Sequence, residues 1–464
     1  MSFPTYPGYK DSGVEWLGNV PEHWVLTPIK HLALLNPRKS DFAGDTEQLC
    51  SFVPMEKLKT GVVQLDEERP IEEVIGGYTY FEDGDVLQAK VTPCFENKNV
   101  AIAQGLTNGI GFGSSEINVL RPYQGVNAEY LYYRVQEDSY MSFCTSSMIG
   151  AGGLKRVPTD VINNFKIAAP KLGEQAQIAR FLDHETARID ALIEEQQRLI
   201  ELLKEKRQAV ISQAVTKGLD PTVPMKDSGV EWLGEVPAHW EVIRSKFVFG
   251  LVSGYAFKSE FFQKNGDGEK VLITPGSFDE LGRLYFSEKS TVQYEGEWQD
   301  QFELKVGDLV MVLTDLSYKK LILGRAAFVE RDDALLNQRI AKVIITPRVK
   351  AKYLWLGINS EVMREQLKLT ASGATVFHTS PEKVGDCWMA LPPCEEQLEI
   401  TAFVEEFHLK LDTLIQQVRD TVGLLGERRS ALISAAVTGK IDVRGWQPPA
   451  STQAPKLEEV AEAV

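Results

Sequence analysis

The chain has 464 residues, of which 43% are hydrophobic and 25% charged, and its formal net charge at pH 7 is −15. This composition is ordinary for a globular protein, and no apolar run reaches the roughly 18 residues that a membrane span needs. Five cysteines without a C-x-x-C pair argue against a disulfide framework or a zinc site, so we expect a cytoplasmic protein. The negative charge argues against a simple phosphate-binding protein, although a local basic face could still attract phosphates.

The first recognisable element of the chain is a short motif that occurs twice. The segment KDSGVEWLGNVPEHW at residues 10–24 returns as KDSGVEWLGEVPAHW at residues 226–240, with thirteen of fifteen positions identical. A second repeated segment starts with EQAQIARFL at Glu174 and with EQLEITAFV at Glu396. The chain is therefore a tandem duplication with two variable blocks, residues 25–169 and 241–391. This organisation is typical of a protein that recognises two different targets.

Each variable block follows the pattern of short strands broken by turns. A Gly-Asp pair precedes an apolar strand in both blocks, at Gly84-Asp85 and Gly307-Asp308. Both blocks also contain a similar helical stretch late in their sequence, which starts at Ala128 in the first and at Ala351 in the second. The sequence therefore predicts that the blocks are diverged copies of one mixed domain.

Polar and basic side chains follow the predicted strands in both blocks. Arg and Lys can contact guanine, Asn and Gln can pair with adenine, and Ser and Thr can contact bases or phosphates. We predict that the set contacts DNA, although each member alone is more simply explained as a solvated loop side chain. The first block contributes Lys90, Thr92, Lys98, Asn99, Ser114, Ser115, Lys155 and Arg156. The second contributes Thr314, Ser317, Lys319, Lys320, Arg325, Gln338, Arg339 and Thr375, with Asn337 and His378 beside them.

Two long helices follow the variable blocks, each after a proline and each with an apolar heptad stripe. About forty residues at about 1.5 Å each give a helix of roughly 60 Å, which cannot bury its own stripe. Each helix could pack on its own domain, but two matched stripes favour pairing as an antiparallel coiled coil. The predicted pairing residues are Ile178, Leu182, Ile189, Leu192, Leu199, Leu203, Ile400, Val404, Leu411, Leu414 and Leu425. Gly423 and Gly426 lie inside the second helix, where the first has Glu201 and Lys204, and are interpreted as points of close approach or fraying.

The predicted fold class is α+β, with two mixed domains separated by two long helices and related by a pseudo-two-fold axis. The first motif and block span residues 1–169, and the first long helix spans 170–221. The second motif and block span 222–391, and the second long helix spans 392–445. Residues 446–464 are Pro-rich and then acidic, which predicts a disordered tail. An antiparallel pair would present one block to each half of a DNA site.

The sequence contains no recognisable catalytic motif. It has neither a G-x-x-x-x-G-K-[ST] phosphate loop nor an N-P-P-Y or D-P-P-Y methyltransferase motif. The glycines at 109, 111 and 113 lead into a predicted strand, which excludes a dinucleotide loop. His23 and His239 are repeat partners beside tryptophans, and we expect them to serve packing. A nuclease site at Asp85 and Lys90 is rejected, because the repeated turn at Asp308 has no lysine at that spacing.

Together, the repeated motifs resemble those of the DNA-specificity subunit of Type I restriction-modification systems. The resemblance rests on KDSGVEWLG followed by PEHW or PAHW, and on the P-x-x-x-EQ-x-x-I start of each long helix. It also includes the helix endings AVISQAVTKGLD and ALISAAVTGKID, and it covers nearly the whole chain. In combination these motifs are specific, whereas each alone would be weak.

The resemblance implies two target-recognition domains that read the halves of a split, asymmetric DNA sequence, with the helices setting an unread spacer. It implies that the chain docks two modification subunits and, indirectly, ATP-dependent restriction subunits. S-adenosylmethionine, ATP and Mg would then belong to the partners, and this chain would have no cofactor and no catalytic residue. A different hypothesis is a two-domain coiled-coil scaffold that binds proteins without reading DNA. A third, a fused restriction enzyme, is opposed by the missing motifs.

Overall fold

The computed structural model describes residues 3–42, 44–151, 153–263, 268–279, 281–287, 291–315, 322–373 and 376–449. The chain forms two compact units. Unit 1 takes residues 1–197 and 420–464, and unit 2 takes residues 198–419. Each unit therefore combines one variable block with a segment of each long helix, and the division falls inside the helices rather than between consecutive domains.

Unit 1 contains the following described elements in chain order. Its strands are β1 (Tyr9–Asp11), β2 (Asn19–Pro21), β3 (Val25–Pro28), β4 (Ala33–Leu35), β5 (Leu49–Val53), β6 (Leu58–Lys59), β7 (Val62–Val63), β8 (Glu68–Pro70), β9 (Thr79–Glu82), β10 (Val86–Ala89), β11 (Val100–Ile102), β12 (Ile110–Gly113), β13 (Ile117–Pro122), β14 (Ile149–Ala151), β15 (Leu154–Arg156) and β16 (Lys166–Ala169). Its helices are α1 (Ile71–Val74), α2 (Ala128–Arg134), α3 (Asp138–Ser146), α4 (Thr159–Asn164) and the first part of α5 (Leu172–Lys217).

Unit 2 repeats this series. Its described strands are β17 (Met225–Asp227), β18 (Glu235–Pro237), β19 (Glu241–Arg244), β20 (Phe249–Ser253), β21 (Phe262–Gln263), β22 (Lys270–Ile273), β23 (Val292–Tyr294), β24 (Glu303–Leu304), β25 (Leu309–Val312), β26 (Thr314–Asp315), β27 (Ala326–Phe328), β28 (Ala334–Leu336), β29 (Ile340–Ile345), β30 (Phe377–His378) and β31 (Trp388–Leu391). Its helices are α6 (Ala351–Asn359), α7 (Glu361–Thr370), α8 (Pro381–Gly385) and the first part of α9 (Cys394–Val437), whose remainder belongs to unit 1.

The two units build corresponding pairs of sheets, and the second sheet of unit 2 has one additional described strand. The order β11-β10-β13-β4 in unit 1 corresponds to β27-β25-β29-β20 in unit 2. The second sheet has the order β8-β5-β12-β9 in unit 1 and β21-β23-β22-β28-β24 in unit 2. One strand pair in each second sheet is parallel, β5 with β12 and β22 with β28. The prediction that the blocks are diverged copies of one mixed domain is confirmed.

Each unit has its own hydrophobic core, into which the long helices insert. The largest side chains with under 2% exposure in unit 1 are Trp24, Arg134, Tyr130, Tyr140, Phe81, Phe95, Phe112, Phe165, Phe181 and Ile29, and in unit 2 they are Trp240 and Tyr353. Burial of one such apolar side chain contributes about 1.5–3 kcal/mol relative to its exposure. In the described residues, no helix combines the length and apolarity required to cross a membrane.

The long helices pair antiparallel within each unit. In unit 1, Gln177 of α5 bonds to the carbonyl of Val443, and Asp190, further along α5, pairs with Arg429 of α9 at 2.8 Å. In unit 2, Arg207 of α5 pairs with Asp412 of α9. The two ion pairs are equivalent in the repeat, because Asp190 corresponds to Asp412 and Arg207 to Arg429. The aspartate comes from α5 in unit 1 and from α9 in unit 2. The expected antiparallel pairing is thus confirmed, and these charged positions lay outside the predicted apolar stripe.

The residues of the predicted stripe divide between the cores of the two units and the contact between the long helices. Ile178 and Leu182 belong to the unit 1 core, and Ile400 and Val404 belong to the unit 2 core. An interhelical cluster forms from Leu203, Leu411 and Ile415, with Ile200 and Phe407 against it. Ile189 is buried and Leu425 partly buried, whereas Leu192, Leu199 and Leu414 remain 38%, 36% and 37% exposed. A straight helix drifts about 20° per heptad, so a strict seven-residue series leaves the interface.

The two glycines in α9 do not mark a close approach between described residues. A methyl group placed on Gly423 or Gly426 would meet no heavy atom of the described chain within 4 Å. The helix also continues without a break from Cys394 to Val437. Close approach to another described part of the chain is therefore excluded at these two residues, whereas fraying stays a prediction.

Candidate nucleic-acid interface

A polar anchor fixes the repeated motif against the start of a long helix in each unit. In unit 1, Trp24 Nε1 donates to Glu174 Oε1 at 3.0 Å, and His23 Nε2 lies 2.8 Å from Glu174 Oε2. In unit 2, Glu396 receives the same contacts from Trp240 and His239, at 3.0 and 2.8 Å. The two histidines therefore position the frame of each unit, as expected from their place in the repeat.

A helix end completes each anchor from the other side. Gly439, after α9, lies against Trp24 in unit 1, and Gly218, after α5, lies against Trp240 in unit 2. Their φ angles are +75° and +74°, the left-handed conformation that commonly ends a helix. The repeated motif, the helix start and the helix end thus form one packed junction, which holds the adjoining sheets in place.

Six of the eight predicted residues of the first block converge at the end of β10. The Lys90 backbone donates to the Glu116 carbonyl at 3.0 Å and accepts from Val157 N–H at 3.0 Å. The Thr92 hydroxyl donates to the Gly153 carbonyl at 2.6 Å and accepts from Lys155 N–H at 3.0 Å. These bonds bring together the β10 end, the turn before β13 and the β14-β15 hairpin. The cluster, here called the unit 1 strand-end cluster, consists of Lys90, Thr92, Ser114, Ser115, Lys155 and Arg156.

An ion pair shapes the electrostatics of the unit 1 strand-end cluster. Arg156 donates two hydrogen bonds to the Glu116 carboxylate, both at 2.8 Å, and these bonds lower the pKa of Glu116 against the opposing effect of burial. The Arg156 side chain is still 49% exposed. Glu116 was not among the predicted residues, because a turn carboxylate carries no sequence signal for a neighbour forty residues away. It orients the arginine and offsets one positive charge.

The structure does not bring the Lys98 ammonium to this cluster. Lys98 Nζ instead lies 3.0 Å from Asp138 and 3.3 Å from the hydroxyl of Ser430 in α9. Asn99 is held by its backbone, whose carbonyl accepts from Ala89 N–H at 2.9 Å. An ammonium with two such partners ties the block to the long helix. Lys98 is therefore a poor candidate for a DNA contact.

The equivalent place in unit 2 gathers a different set of side chains. The Leu313 backbone donates to the Arg339 carbonyl at 2.8 Å and accepts from Thr379 N–H at 2.9 Å. The Thr314 hydroxyl lies 3.0 Å from His378 Nδ1, in the short ladder of β26 and β30. The unit 2 strand-end cluster, defined by Thr314, Gln338, Arg339 and His378, thus repeats the backbone arrangement of unit 1.

Arg339 is an exposed cation of the unit 2 strand-end cluster. It lies in the turn between β28 and β29 with φ at +75°, an uncommon conformation for a side chain larger than glycine. Its neighbour Gln338 is also exposed, with its backbone N–H bonded to the Tyr255 carbonyl at 2.7 Å. Such strained positions often occur at functional sites. The turn therefore presents a guanidinium and an amide side by side.

One predicted contact residue of the second block is buried. Arg325 is 4% exposed and donates to the Asn359 carbonyl at the end of α6 at 3.0 Å. A guanidinium held inside the unit cannot reach a base edge, so the prediction of a DNA contact by Arg325 is corrected to a structural role. The predicted residues Ser317, Lys319, Lys320 and Thr375 lie outside the described residues.

The backbone bonds align the clusters position by position. Lys90 of unit 1 corresponds to Leu313, because each donates to the residue before the next long strand. That residue is Glu116 in unit 1 and Arg339 in unit 2. Arg156 corresponds to His378, since they occupy the same bridge position opposite Val91 and Thr314. The frame is shared, whereas the side chains differ in charge and in hydrogen-bonding groups.

The carboxylate considered for catalysis has a structural role. Asp85 is 2% exposed and accepts two hydrogen bonds from Arg121, each at 2.8 Å. Asp308 pairs with Lys342 at 2.6 Å at the same turn in unit 2. Among the described residues, no group of three His, Cys, Asp or Glu side chains could hold a metal ion. The geometry of the strand-end clusters is suited to binding by hydrogen bonds and charge.

Comparison with known proteins points to one family. Residues 96–203 match the family model described as Type I restriction modification DNA specificity domain. The chain is 25% identical to the Type I restriction enzyme EcoEI specificity subunit of Escherichia coli, over 90% of this chain and 83% of that protein. It is 26% identical to the Type I restriction enzyme MjaVIII specificity subunit of Methanocaldococcus jannaschii, over 86% of this chain and 92% of that protein.

The fold has a solved counterpart. A chain from a structure that concerns complex assembly and conformational transition of the type I R-M system superposes with a TM-score of 0.67 at 15% identity. That match covers 90% of this chain and 98% of the solved one. The repeated motifs, the duplicated fold and the matches along most of the sequence agree. Along most of its length the chain is similar to DNA-specificity subunits of Type I restriction-modification systems.

Proposed function

We propose that this chain is the noncatalytic, DNA-reading subunit of a Type I restriction-modification enzyme. Each unit reads one half of a bipartite, asymmetric sequence through its strand-end cluster. The observation that carries the proposal is the shared backbone frame with different side chains, Lys90, Glu116 and Arg156 in unit 1 against Leu313, Arg339 and His378 in unit 2. A shared backbone arrangement with two different sets of side chains suits a DNA target whose two halves differ in sequence.

The strand-end clusters contain the groups that base readout requires. Arg and Lys bind guanine O6 and N7, a glutamine amide pairs with adenine, and threonine or serine hydroxyls accept or donate as needed. Exposed Arg156 in unit 1 and Gln338 with Arg339 in unit 2 supply such groups. The net charge of −15 is compatible with binding, because counterion release depends on the local cations at the contact.

The remaining parts of the proposal concern partners. We place two modification subunits, which bring S-adenosylmethionine, on the repeated frame that includes the long helices. Restriction subunits with ATP and Mg join through them, and the complex acts on double-stranded DNA in the cytoplasm. The support is the similarity to Type I specificity subunits together with a repeated motif and helix that occur twice, once for each modification subunit. The partner subunits then carry out methylation and cleavage, and this chain positions them on the DNA sequence.

Methylome sequencing tests the proposal. Cells would express the full chain with its cognate modification subunit, and control cells would express the modification subunit alone. A new methylated motif with two specified halves and an unread spacer is expected only when this chain is present. A purified complex that methylates no bipartite motif would overturn the proposal. If the same complex also fails to bind DNA, the coiled-coil scaffold becomes the better explanation.

A further inference from the structure

A short segment with a lysine is common to the two variable blocks, although little else in them is identical. Residues 39–42 read KSDF and residues 258–261 read KSEF. Each segment, here called the Lys-Ser turn, includes a 3-10 helix, Lys39–Asp41 in unit 1 and Ser259–Phe261 in unit 2. Each lies in the loop after the strand that pairs with the long strand of the site, β4 with β13 and β20 with β29.

In unit 1 the Lys-Ser turn borders a basic cleft next to the strand-end cluster. The cleft has a volume of about 450 Å³. It is lined by residues 36–40, residues 78–80, Lys90 and Ile117. Arg38, Lys39 and Lys90 give it three cationic side chains, and the described residues that line it include no carboxylate. Three like charges around one open cleft repel one another unless an anion lies among them.

The base of the turn is held firmly, whereas its cations are exposed. The Asn36 side chain accepts from Val119 N–H at 2.9 Å and donates to Asn118 at 3.2 Å, which joins the turn to β13. Lys39 Nζ donates to the Gly76 carbonyl at 2.5 Å and remains exposed. No ion pair joins Arg38 to the part of the chain that the structure describes. Hydrogen bonds thus fix the backbone that carries Arg38 and Lys39, next to the unit 1 strand-end cluster.

The counterpart in unit 2 also presents an exposed cation. The Lys258 side chain is 73% exposed, and the carboxylate of Glu260 lies 3.8 Å from its ammonium. An exposed ion pair at that distance contributes little, so the ammonium can exchange it for a stronger anionic partner. Phe261 contacts Tyr294 in unit 2, and Phe42 contacts Tyr80 in unit 1. The phenylalanine of each turn thus packs against its own unit.

We propose that the Lys-Ser turn of each unit binds the phosphate backbone of DNA, through Arg38 and Lys39 beside Lys90 in unit 1 and through Lys258 in unit 2. The inference rests on the proposed function and adds a division of labour to it. Side chains that differ between the units can distinguish two half-sites, whereas the lysine common to both turns serves what the half-sites share. The phosphates are that common feature, because they carry no sequence information directly. Arg38, opposite Phe257 of unit 2, adds a cation in unit 1 only.

Salt dependence of binding tests the assignment. The complex of the full chain with its modification subunits would be titrated with cognate duplex and with a duplex altered in both half-sites, over a series of salt concentrations. Arg38→Gln, Lys39→Gln and Lys258→Gln should each reduce the slope of log affinity against log salt by about 0.9, the value for one lost phosphate contact. Each variant should weaken binding to the two duplexes by the same factor.

A lysine away from the cleft provides the matched control. Lys59 is exposed in β6 of unit 1, and Lys59→Gln removes the same charge without touching the cleft. Its salt slope should equal that of the unaltered complex. Turn variants that also keep the unaltered slope would overturn the phosphate assignment, and so would losses confined to cognate DNA, which indicate base contacts. Failure of the unaltered complex to prefer cognate DNA would instead reject the proposed function.

Discussion

The two units are nearly identical where the repeated motif meets a long helix and different where their strands end. At the junction, Trp24, His23 and Glu174 make the same contacts as Trp240, His239 and Glu396, with matching distances. The two tryptophans are buried in both copies, so loss of the glutamate would leave a buried indole N–H without its acceptor. The two histidines remain 43% and 46% exposed, and their contact with the same glutamate is made at the surface.

The strand ends face a different constraint. Position by position, Lys90 is replaced by Leu313, Glu116 by Arg339 and Arg156 by His378, although the backbone bonds are the same. These bonds are made by main-chain groups, which are indifferent to the side chain. The comparison shows how one fold can carry two binding surfaces. Buried side chains and main-chain hydrogen bonds determine the fold, whereas the exposed side chains of the strand-end clusters can change without disturbing it.

The largest effect is expected at the buried tryptophans. Trp24→Ala and Trp240→Ala should each destabilise their own unit by about 3–5 kcal/mol, because both side chains are almost fully buried and would leave cavities. Hydrogen exchange, followed separately for the two units, would measure the loss. Trp232→Ala is the matched control, since Trp232 is 43% exposed and should have a small effect. Unequal losses at Trp24 and Trp240 would show that the junctions are not energetically equivalent.

The next prediction distinguishes a DNA-contacting arginine of unit 2 from a structural one. Arg339→Ala should weaken binding to the half-site of unit 2 by about 1–3 kcal/mol if the guanidinium contacts a base, with the other half-site unaffected. Arg325→Ala should leave the recognised motif unchanged and lower stability, because Arg325 is a buried donor to Asn359. Competition binding with duplexes altered in one half-site would measure the first effect, and thermal unfolding the second. A motif change with Arg325→Ala would reverse these roles.

Much of the frame could be predicted because it is repeated and periodic. The duplication, the mixed blocks, the Gly-Asp turns and the long helices all follow from local patterns along the chain. The helix pair was predicted less well in detail. The apolar stripe suggested one continuous seam, but Ile178 and Ile400 belong to the cores of their units. The Asp190–Arg429 and Arg207–Asp412 ion pairs were missed, because partners in an antiparallel pair are more than 200 residues apart.

The candidate site shows the same limit. Lys90 and Arg156 were predicted from residue type alone, and tertiary contacts bring them together. The same criterion selected Arg325, whose burial could not be deduced from its neighbours in sequence, and Lys98, whose partner Asp138 lies in a helix. Residue type indicates what a side chain can bind, whereas exposure decides whether it is available. Exposure depends on contacts that are distant in sequence.

A histidine should give the two units different sensitivity to acid. Burial, and then Arg207 and Arg283, lower the pKa of His408 to about 4, and Asp412 and Glu405 oppose this shift. As the pH falls from about 6.5 towards 4, the unfolded chain binds a proton that the folded unit does not, so stability is lost. The repeat equivalent in unit 1 is Thr186, which cannot titrate.

His408→Thr should therefore remove part of the acid sensitivity of unit 2. We expect a difference of about 1 kcal/mol between the variant and the unaltered chain at pH 5, after allowance for partial exposure, and none from this titration above pH 7. Urea unfolding at pH 5 and above pH 7, with hydrogen exchange in unit 2 as the readout, would measure this difference in stability. Because the carboxylates titrate in the variant and in the unaltered chain alike, their contribution cancels in the difference. Parallel pH profiles would contradict the assignment.

The smallest effect concerns two glycines of α9 that replace strong helix formers of α5. Gly423 and Gly426 in α9 correspond to Glu201 and Lys204 in α5, which form an ion pair at 2.7 Å. Because an added methyl group would meet open space at both glycines, Gly423→Ala and Gly426→Ala should each stabilise the chain by about 0.5–1 kcal/mol. Thermal unfolding of the full chain, alone and in complex with its modification subunits, would measure the gain.

Gly439→Ala provides the opposite control, since its φ is +75° and its added methyl group would lie 2.4 Å from Pro21. That substitution should destabilise unit 1 whether or not a partner is bound. If the α9 variants stabilise the free chain and weaken the complex, a partner must approach the helix at these glycines. If they stabilise both equally, the difference between the helices has no role in binding. Either result would separate the intrinsic stability of α9 from its use as a docking surface.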